Sequence, residues 1–144
     1  MGILTTVDIA EKLRDQGIRL TPQRLAIAEV VINSADHPTV RDIYSRVRDF
    51  FPYLTVATVY STLNVLERAG LVAQLPFQKE SRYDSNNTLH VNLVCTRCES
   101  IVDCDAGDNY LEKIKDRIQD SGLFQIKYQR FDIYGLCENC SKLS

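Results

Sequence analysis

Apolar residues in the first half of the chain recur at helical spacing, in short runs that end at breakers. Val7 to Gln16 is a short amphipathic stretch stopped by Gly17. Thr21-Pro22 reads as an N-cap followed by proline in the first turn, and Leu25, Ile27, Ala28, Val31 and Ile32 then give a mostly helical apolar face to about Ser34. After the Asp36-His37-Pro38 break, Thr39 caps a third helix in which Val40, Ile43, Tyr44, Val47 and Phe50/Phe51 recur before Pro52 ends it. A fourth helix opens at Thr55. Val56, Val59, Leu63 and Leu66 form its apolar face, Thr58, Ser61, Thr62 and Arg68 its polar face, and Gly70 its stop. LVAQLPF and SRYD follow as two short strands around a loop.

Short helices followed by a two-stranded hairpin predict a winged helix-turn-helix, with the helix from Thr55 to Ala69 as its recognition helix. Small hydroxyls and the ring of Tyr60 suit base edges and thymine methyls, while Arg and Lys hold phosphates. An ordinary helical core with a solvated polar face is the plainer alternative. The second half has another rhythm. HVNLVC alternates, ESIVDC pairs with it, Tyr110 to Ser121 is an amphipathic helix, and FQIKYQRFDIYGLC reads as one long strand, in all β-β-α-β. The fold class expected is α+β, with a winged-helix domain over 1–82, an α/β domain over 83–144, and a hinge in the polar run from Gln78 to Asn87.

Charge supports that division. Residues 1–82 hold ten Lys/Arg and nine Asp/Glu, residues 83–144 seven and ten, for a net charge of -2 over 144 residues. An overall cationic surface is excluded, so any nucleic-acid contact comes from a local patch. MGILTTVDIAEKL lacks a cationic segment leading into an apolar one, and no apolar run approaches the ~18 residues of a membrane span. A cytoplasmic protein is expected.

Four of the five cysteines form Cys95-x-x-Cys98 and Cys137-x-x-Cys140, both at strand ends. Thiolates so spaced on a tight turn reach one ion together, and two such knuckles complete the closed tetrahedral set typical of structural zinc. A thiol redox enzyme is the rival reading, but its CxxC belongs at a strand-to-helix junction and does not come in twos. Cys104 has no partner at motif spacing, so a buried inert thiol is its default. His90 and Asn92 share one strand face, toward which Asp84 and Asp103 could converge. Nitrogen with carboxylate oxygen suits Fe(II) or Mn(II).

Arg19-Leu-Thr-Pro-Gln-Arg24, His37-Pro-Thr, Val56-Ala-Thr-Val-Tyr60, Ser81-Arg-Tyr-Asp84, the His90 strand, Ile101-Val-Asp103, Ile133-Tyr-Gly135 and both CxxC pairs occur in this order over nearly the whole chain. In these motifs the sequence resembles the ferric uptake regulator family of metal-dependent repressors. The resemblance implies no enzyme but a homodimeric DNA-binding protein, with zinc on the four cysteines and a C-terminal dimerisation domain. It puts His37, Asp84, His90 and Asp103 at the positions of the family's regulatory ligands, and Asn92 where a fifth ligand is usually His. Asp84, where iron sensors usually have Glu, resembles the peroxide-sensing members. DNA contacts are expected from Arg24, Thr55, Thr58, Tyr60, Ser61, Lys79 and Arg82 on a palindromic operator. A sensor of iron or manganese occupancy alone is the alternative within the family.

Overall fold

The computed structural model describes residues 3–76, 79–105, 107 and 109–143. Phe77, at the end of the first expected hairpin strand, and Gln78, at the start of the expected hinge, lie outside them. The chain divides into two compact units, Met1–Asn87 and Thr88–Ser144.

The first unit has the order α1 (Thr6–Asp15), α2 (Pro22–Ile32), α3 (Val40–Val47), α4 (Val56–Arg68), β1 (Ala73–Leu75) and β2 (Arg82–Asp84). All four helices start at a threonine whose hydroxyl accepts a backbone N–H of the first turn: Thr5, Thr21, Thr39 and Thr55. Each such cap stabilises its helix by about 1 kcal/mol. At Thr5 and Thr39 an aspartate three residues on bonds back to the cap N–H, which closes a capping box. Helix α4 ends with Gly70 at φ +73, where Gly70 N–H bonds Glu67 O and Leu71 N–H bonds Leu66 O. A side chain would strain that left-handed turn.

Ile9, Leu13, Ile27, Val31, Ile43, Val59, Leu63 and Leu66 meet in one closed core. Truncating any of the leucines to alanine costs about 2 to 5 kcal/mol, since such a site collapses only in part. Two expectations for α4 are corrected here. Val56, placed on the apolar face, is 44% exposed because it sits in the first turn, beyond the reach of the core. Thr62, placed on the polar face, is buried, its hydroxyl donating to Thr58 O at 2.8 Å so that only its methyl needs apolar company. Helix α3 stops at Val47, short of Phe50 and Phe51.

The hairpin pairs Ala73 with Asp84, Gln74 with Tyr83 and Leu75 with Arg82. It is tied to the helices by an isolated bridge between Thr39 and Arg82 and by Tyr83 N–H donating to Pro38 O. Mixed helices and sheets around a winged-helix N-terminal half are the α+β class expected.

The second unit runs β3 (Val91–Cys95), β4 (Ile101–Cys104), α5 (Tyr110–Asp120), β5 (Phe131–Gly135) and α6 (Glu138–Ser141). Its sheet has the order β4-β3-β5, with β4 antiparallel and β5 parallel to the central β3. The long strand expected from Phe124 to Cys137 shrinks to β5. Its one neighbour among the described residues, β3, offers five residues, and the ladder ends where that neighbour ends. A parallel partner needs a crossover, which α5 supplies.

Pairing sets two rows across the sheet. Asn92 lies opposite Asp103 on one side and Asp132 on the other. Leu93, of opposite parity, lies between Val102 and Ile133, and all three of these apolar side chains are exposed. One face thus carries polar chemistry and the other an apolar strip.

Candidate metal centres

Strand β3 delivers Cys95 to its last position, where Cys95 N–H bonds Ser100 O and Glu99 N–H returns to Cys95 O to form the first knuckle. The second follows β5, with Cys137 capping α6 and its Sγ accepting from Cys140 N–H. Parallel pairing brings both knuckles to the same end of the sheet. Thr96 N–H bonds Gly135 O, and Arg97 reaches across to Cys140 O at 3.0 Å.

All four Sγ atoms lie within 4.8 Å of one another, and those of Cys98 and Cys137 are 3.8 Å apart. A tetrahedron with Zn–S bonds of about 2.3 Å has S···S edges of about 3.8 Å, so these thiols fit zinc as they stand. Ionisation is uneven among them. Backbone hydrogen bonds from Cys137 and Cys98 pull the Cys95 thiol down to about 6, Ser100 holds Cys98 below its ordinary value, and burial among other thiols pushes Cys140 up to about 12. Cys104 lies apart from this cluster, half-buried on β4.

Each unit also carries a histidine beside an aspartate. In the first, His37 sits between α2 and α3 in the left-handed region, at φ 51. Its carbonyl accepts from Arg82 Nη1, and its Nε2 is 3.8 Å from Oδ1 of Asp84 on β2. Both side chains are buried, at 3% and 6% exposure. In the second unit, His90 Nδ1 is 2.7 Å from Thr88 O. A carbonyl only accepts, so Nδ1 bears a proton and Nε2 is the ring nitrogen placed to face a metal. Around that Nε2 stand Asn92 Oδ1 at 3.2 Å and Asp103 Oδ1 at 3.5 Å, a nitrogen and two oxygens at the separations of donors sharing one ion.

Two residues that sequence reading passed over complete this row. Asp132 Oδ1 accepts from Asn92 Nδ2 at 3.0 Å, and Arg130 Nε donates to the other oxygen of Asp132 at 2.7 Å. An Arg-x-Asp spacing at the entry to β5 was the available signal, and it acquires meaning once β5 is known to pair with β3.

The expected DNA-contacting residues are arranged as follows. Thr55, Tyr60 and Ser61 are exposed on α4, and Thr58 is half-buried with its hydroxyl 3.0 Å from that of Thr55. Lys79 is exposed, Arg24 donates to Arg19 O, and Arg82 spends a donor on His37 O. No helix among the described residues is long and apolar enough to cross a membrane.

Against known proteins, the model of the ferric uptake regulator family matches residues 15–134. The peroxide operon regulator of Bacillus subtilis (strain 168) is 39% identical over 134 residues, 92% of this chain and 90% of that protein. The solved structure of PerR from Streptococcus pyogenes, described as a basis for peroxide sensing and gene regulation, is 32% identical with a TM-score of 0.52, covering 95% of this chain and 94% of that one. The ferric uptake regulator of Helicobacter pylori, described with three functional metal binding sites, shares the fold at 20% identity, with a TM-score of 0.78 over 98% and 97% of the two chains.

Proposed function

Because the chain belongs to the ferric uptake regulator family and is a metal-dependent regulator rather than an enzyme, we propose that it is a homodimeric, cytoplasmic repressor of a palindromic operator, released from DNA by peroxide. The observation that carries this reading is the pair of histidine–aspartate half-sites, one in each unit: His37 with Asp84, and His90 with Asp103. In the proposal these four residues hold one Fe(II) or Mn(II) ion, with the Asn92 amide oxygen as a weaker fifth donor, while zinc on Cys95, Cys98, Cys137 and Cys140 is permanent. Imidazole nitrogen and carboxylate oxygen suit the harder divalent ions, and thiolate suits zinc.

An ion that draws donors from both units favours one arrangement of them, and the affinity for DNA follows by linkage. A dimer reading a palindrome needs its recognition helices about 34 Å apart, which makes operator binding sensitive to that arrangement. The exposed strip of Leu93, Val102 and Ile133 supports a second copy of the chain as partner, since apolar surface of this kind is seldom left uncovered. Thr55, Tyr60 and Ser61 on α4, with Lys79 beyond β1, are the groups proposed to meet bases and phosphates.

Bound Fe(II) would activate hydrogen peroxide. In the net step one peroxide oxidises one imidazole of the chain, that of His37 or His90, by two electrons, one oxygen atom going to the ring and the other leaving as water, and a ring that gains oxygen loses donor strength. The test is operator binding by the anaerobic iron form, then peroxide, then peptide mass spectrometry. The expected result is release of DNA with one oxygen atom added to a peptide containing His37 or His90, the manganese form staying bound and unmodified. Release with both histidines intact and the zinc cysteines oxidised would make the protein a thiol switch instead. A second reading, a sensor of iron or manganese occupancy alone, is favoured by Asn92, which removes one oxidisable imidazole from the donor set.

A further inference from the structure

Asn92 is 2% exposed, and its amide has two chemically different ends that could be exchanged by a half-turn of the side chain. Only one end can bind a cation. In the second unit the choice is made by a residue on another strand. Asp132 Oδ1 sits 3.0 Å from Asn92 Nδ2, and a carboxylate in an ion pair with Arg130 can only accept. With the NH2 group taken up on that side, Oδ1 must face the other way, where it lies 3.2 Å from His90 Nε2. Register builds the arrangement: Asp103, Asn92 and Asp132 are cross-strand neighbours in a single row.

We infer that Asp132, itself held by Arg130, is a positioning residue that fixes the Asn92 amide with its oxygen toward His90 and Asp103, and so sets the preference of the regulatory site for an oxygen-seeking ion such as Mn(II). The inference rests on the regulatory-metal reading above. With Asn92 Oδ1 presented, the half-site offers one nitrogen and two oxygens; with the amide reversed, it would aim an NH2 group at the cation and lose a donor. Mn(II), which favours six-coordinate oxygen-rich sites, suffers most from that loss, whereas Zn(II) is content with four donors.

The experiment uses the full-length zinc-loaded protein, titrated with Mn(II) by electron paramagnetic resonance and with Zn(II) by chelator competition. Asp132→Asn removes the obligate acceptor and should lower Mn(II) affinity roughly 10- to 100-fold, the usual effect of losing a residue that orients a ligand. Zn(II) affinity at the same site should fall less, and the cysteine-bound zinc should stay. The reciprocal variant Asn92→Asp/Asp132→Asn restores the pair with donor and acceptor exchanged and still turns an oxygen toward His90, so Mn(II) affinity should return to the wild-type value or above. If Asp132→Asn alone loses the fold, the comparison of Asn92→Asp/Asp132→Asn with Asn92→Asp decides the matter: a carboxylate at 92 shows oxygen at either end, so the double variant should bind Mn(II) at least as tightly as Asn92→Asp, and weaker binding by the folded double variant overturns the inference. Unchanged Mn(II) binding in Asp132→Asn, or equal loss of both metals, would reduce Asp132 to a tie between strands. His90→Ala and Asp103→Ala separate the two levels. If both abolish Mn(II) binding while Asp132→Asn leaves it intact, only this inference fails; if neither affects it, the regulatory site itself is misplaced and the inference falls with it.

Discussion

Replacing the second zinc knuckle, Cys137→Ser/Cys140→Ser, should unfold the C-terminal unit and leave the N-terminal one standing. Cys98 and Cys137 are 39 positions apart, and a cross-link closing a loop of that length removes about 4 kcal/mol of chain entropy from the unfolded state at 25 °C. A folded domain has only about 5–15 kcal/mol in all, and a small one sits at the low end. Among its described residues the C-terminal unit buries few large apolar side chains, Val91, Val94 and Ile101 on the sheet and Leu111 on α5. Loss of the cross-link therefore consumes most of that unit's stability before the metal–ligand bonds are counted. Hydrogen exchange measures the effect strand by strand. About 4 kcal/mol corresponds to about a thousandfold in protection, so amides of Val91–Cys95 and Phe131–Gly135 should exchange at least that much faster. Those of Pro22–Ile32 and Val56–Arg68, packed in a separate core, should keep their rates. A zinc-free variant with both strands protected as in the wild type would refute the reasoning.

Other outcomes follow from the two proposed metal centres and from the proposed DNA contacts of α4. Asn92→His should tighten regulatory metal binding roughly tenfold or more, since an imidazole there could donate to Asp132 with one nitrogen and offer the other to the ion; a Mn(II) titration with no gain would count against Asn92 as a donor position. Zinc uptake should release protons. Cys140, near 12, carries its proton at pH 7 and must lose it, whereas Cys95, near 6, is largely ionised, so affinity should rise with pH between 7 and 8.5; calorimetry in buffers of different ionisation enthalpy that found no proton release would contradict this. Tyr60→Ala should weaken specific operator binding more than nonspecific binding, whereas Lys79→Ala should flatten the salt dependence and spare sequence preference; equal losses in the Tyr60 variant would remove that ring from base reading.

The helices were legible because each is announced by local chemistry: a threonine cap, a proline in the first turn, an apolar face in period. The CxxC pairs were legible because knuckle geometry lies within four residues. What sequence could not supply was anything that depends on a neighbour. The alternation from Phe124 to Cys137 promised a long strand, yet its length is set by the five residues of β3. Thr62 looked like part of a wet face until its hydroxyl found Thr58 O one turn back. Asp132 carried only an Arg-x-Asp spacing, which means nothing by itself, because its partner Asn92 is forty positions away and meets it only through parallel register.

That same parallel pairing orders events during synthesis. Every strand and helix pairing of the first unit is complete by Asn87, so that unit can close as soon as this stretch clears the ribosome. The second must wait for Cys140, because its central strand has no parallel neighbour and its thiols no fourth member until then. At about 5–20 residues per second, the N-terminal unit is finished roughly 3 to 10 s before its companion can begin to lock. During that interval Cys95 and Cys98 are already made, and a free thiol pair is open to oxidants that the finished tetrad would resist. Newly made chains would then differ from mature ones in the exposure of their thiols to oxidants, through the timing of zinc capture.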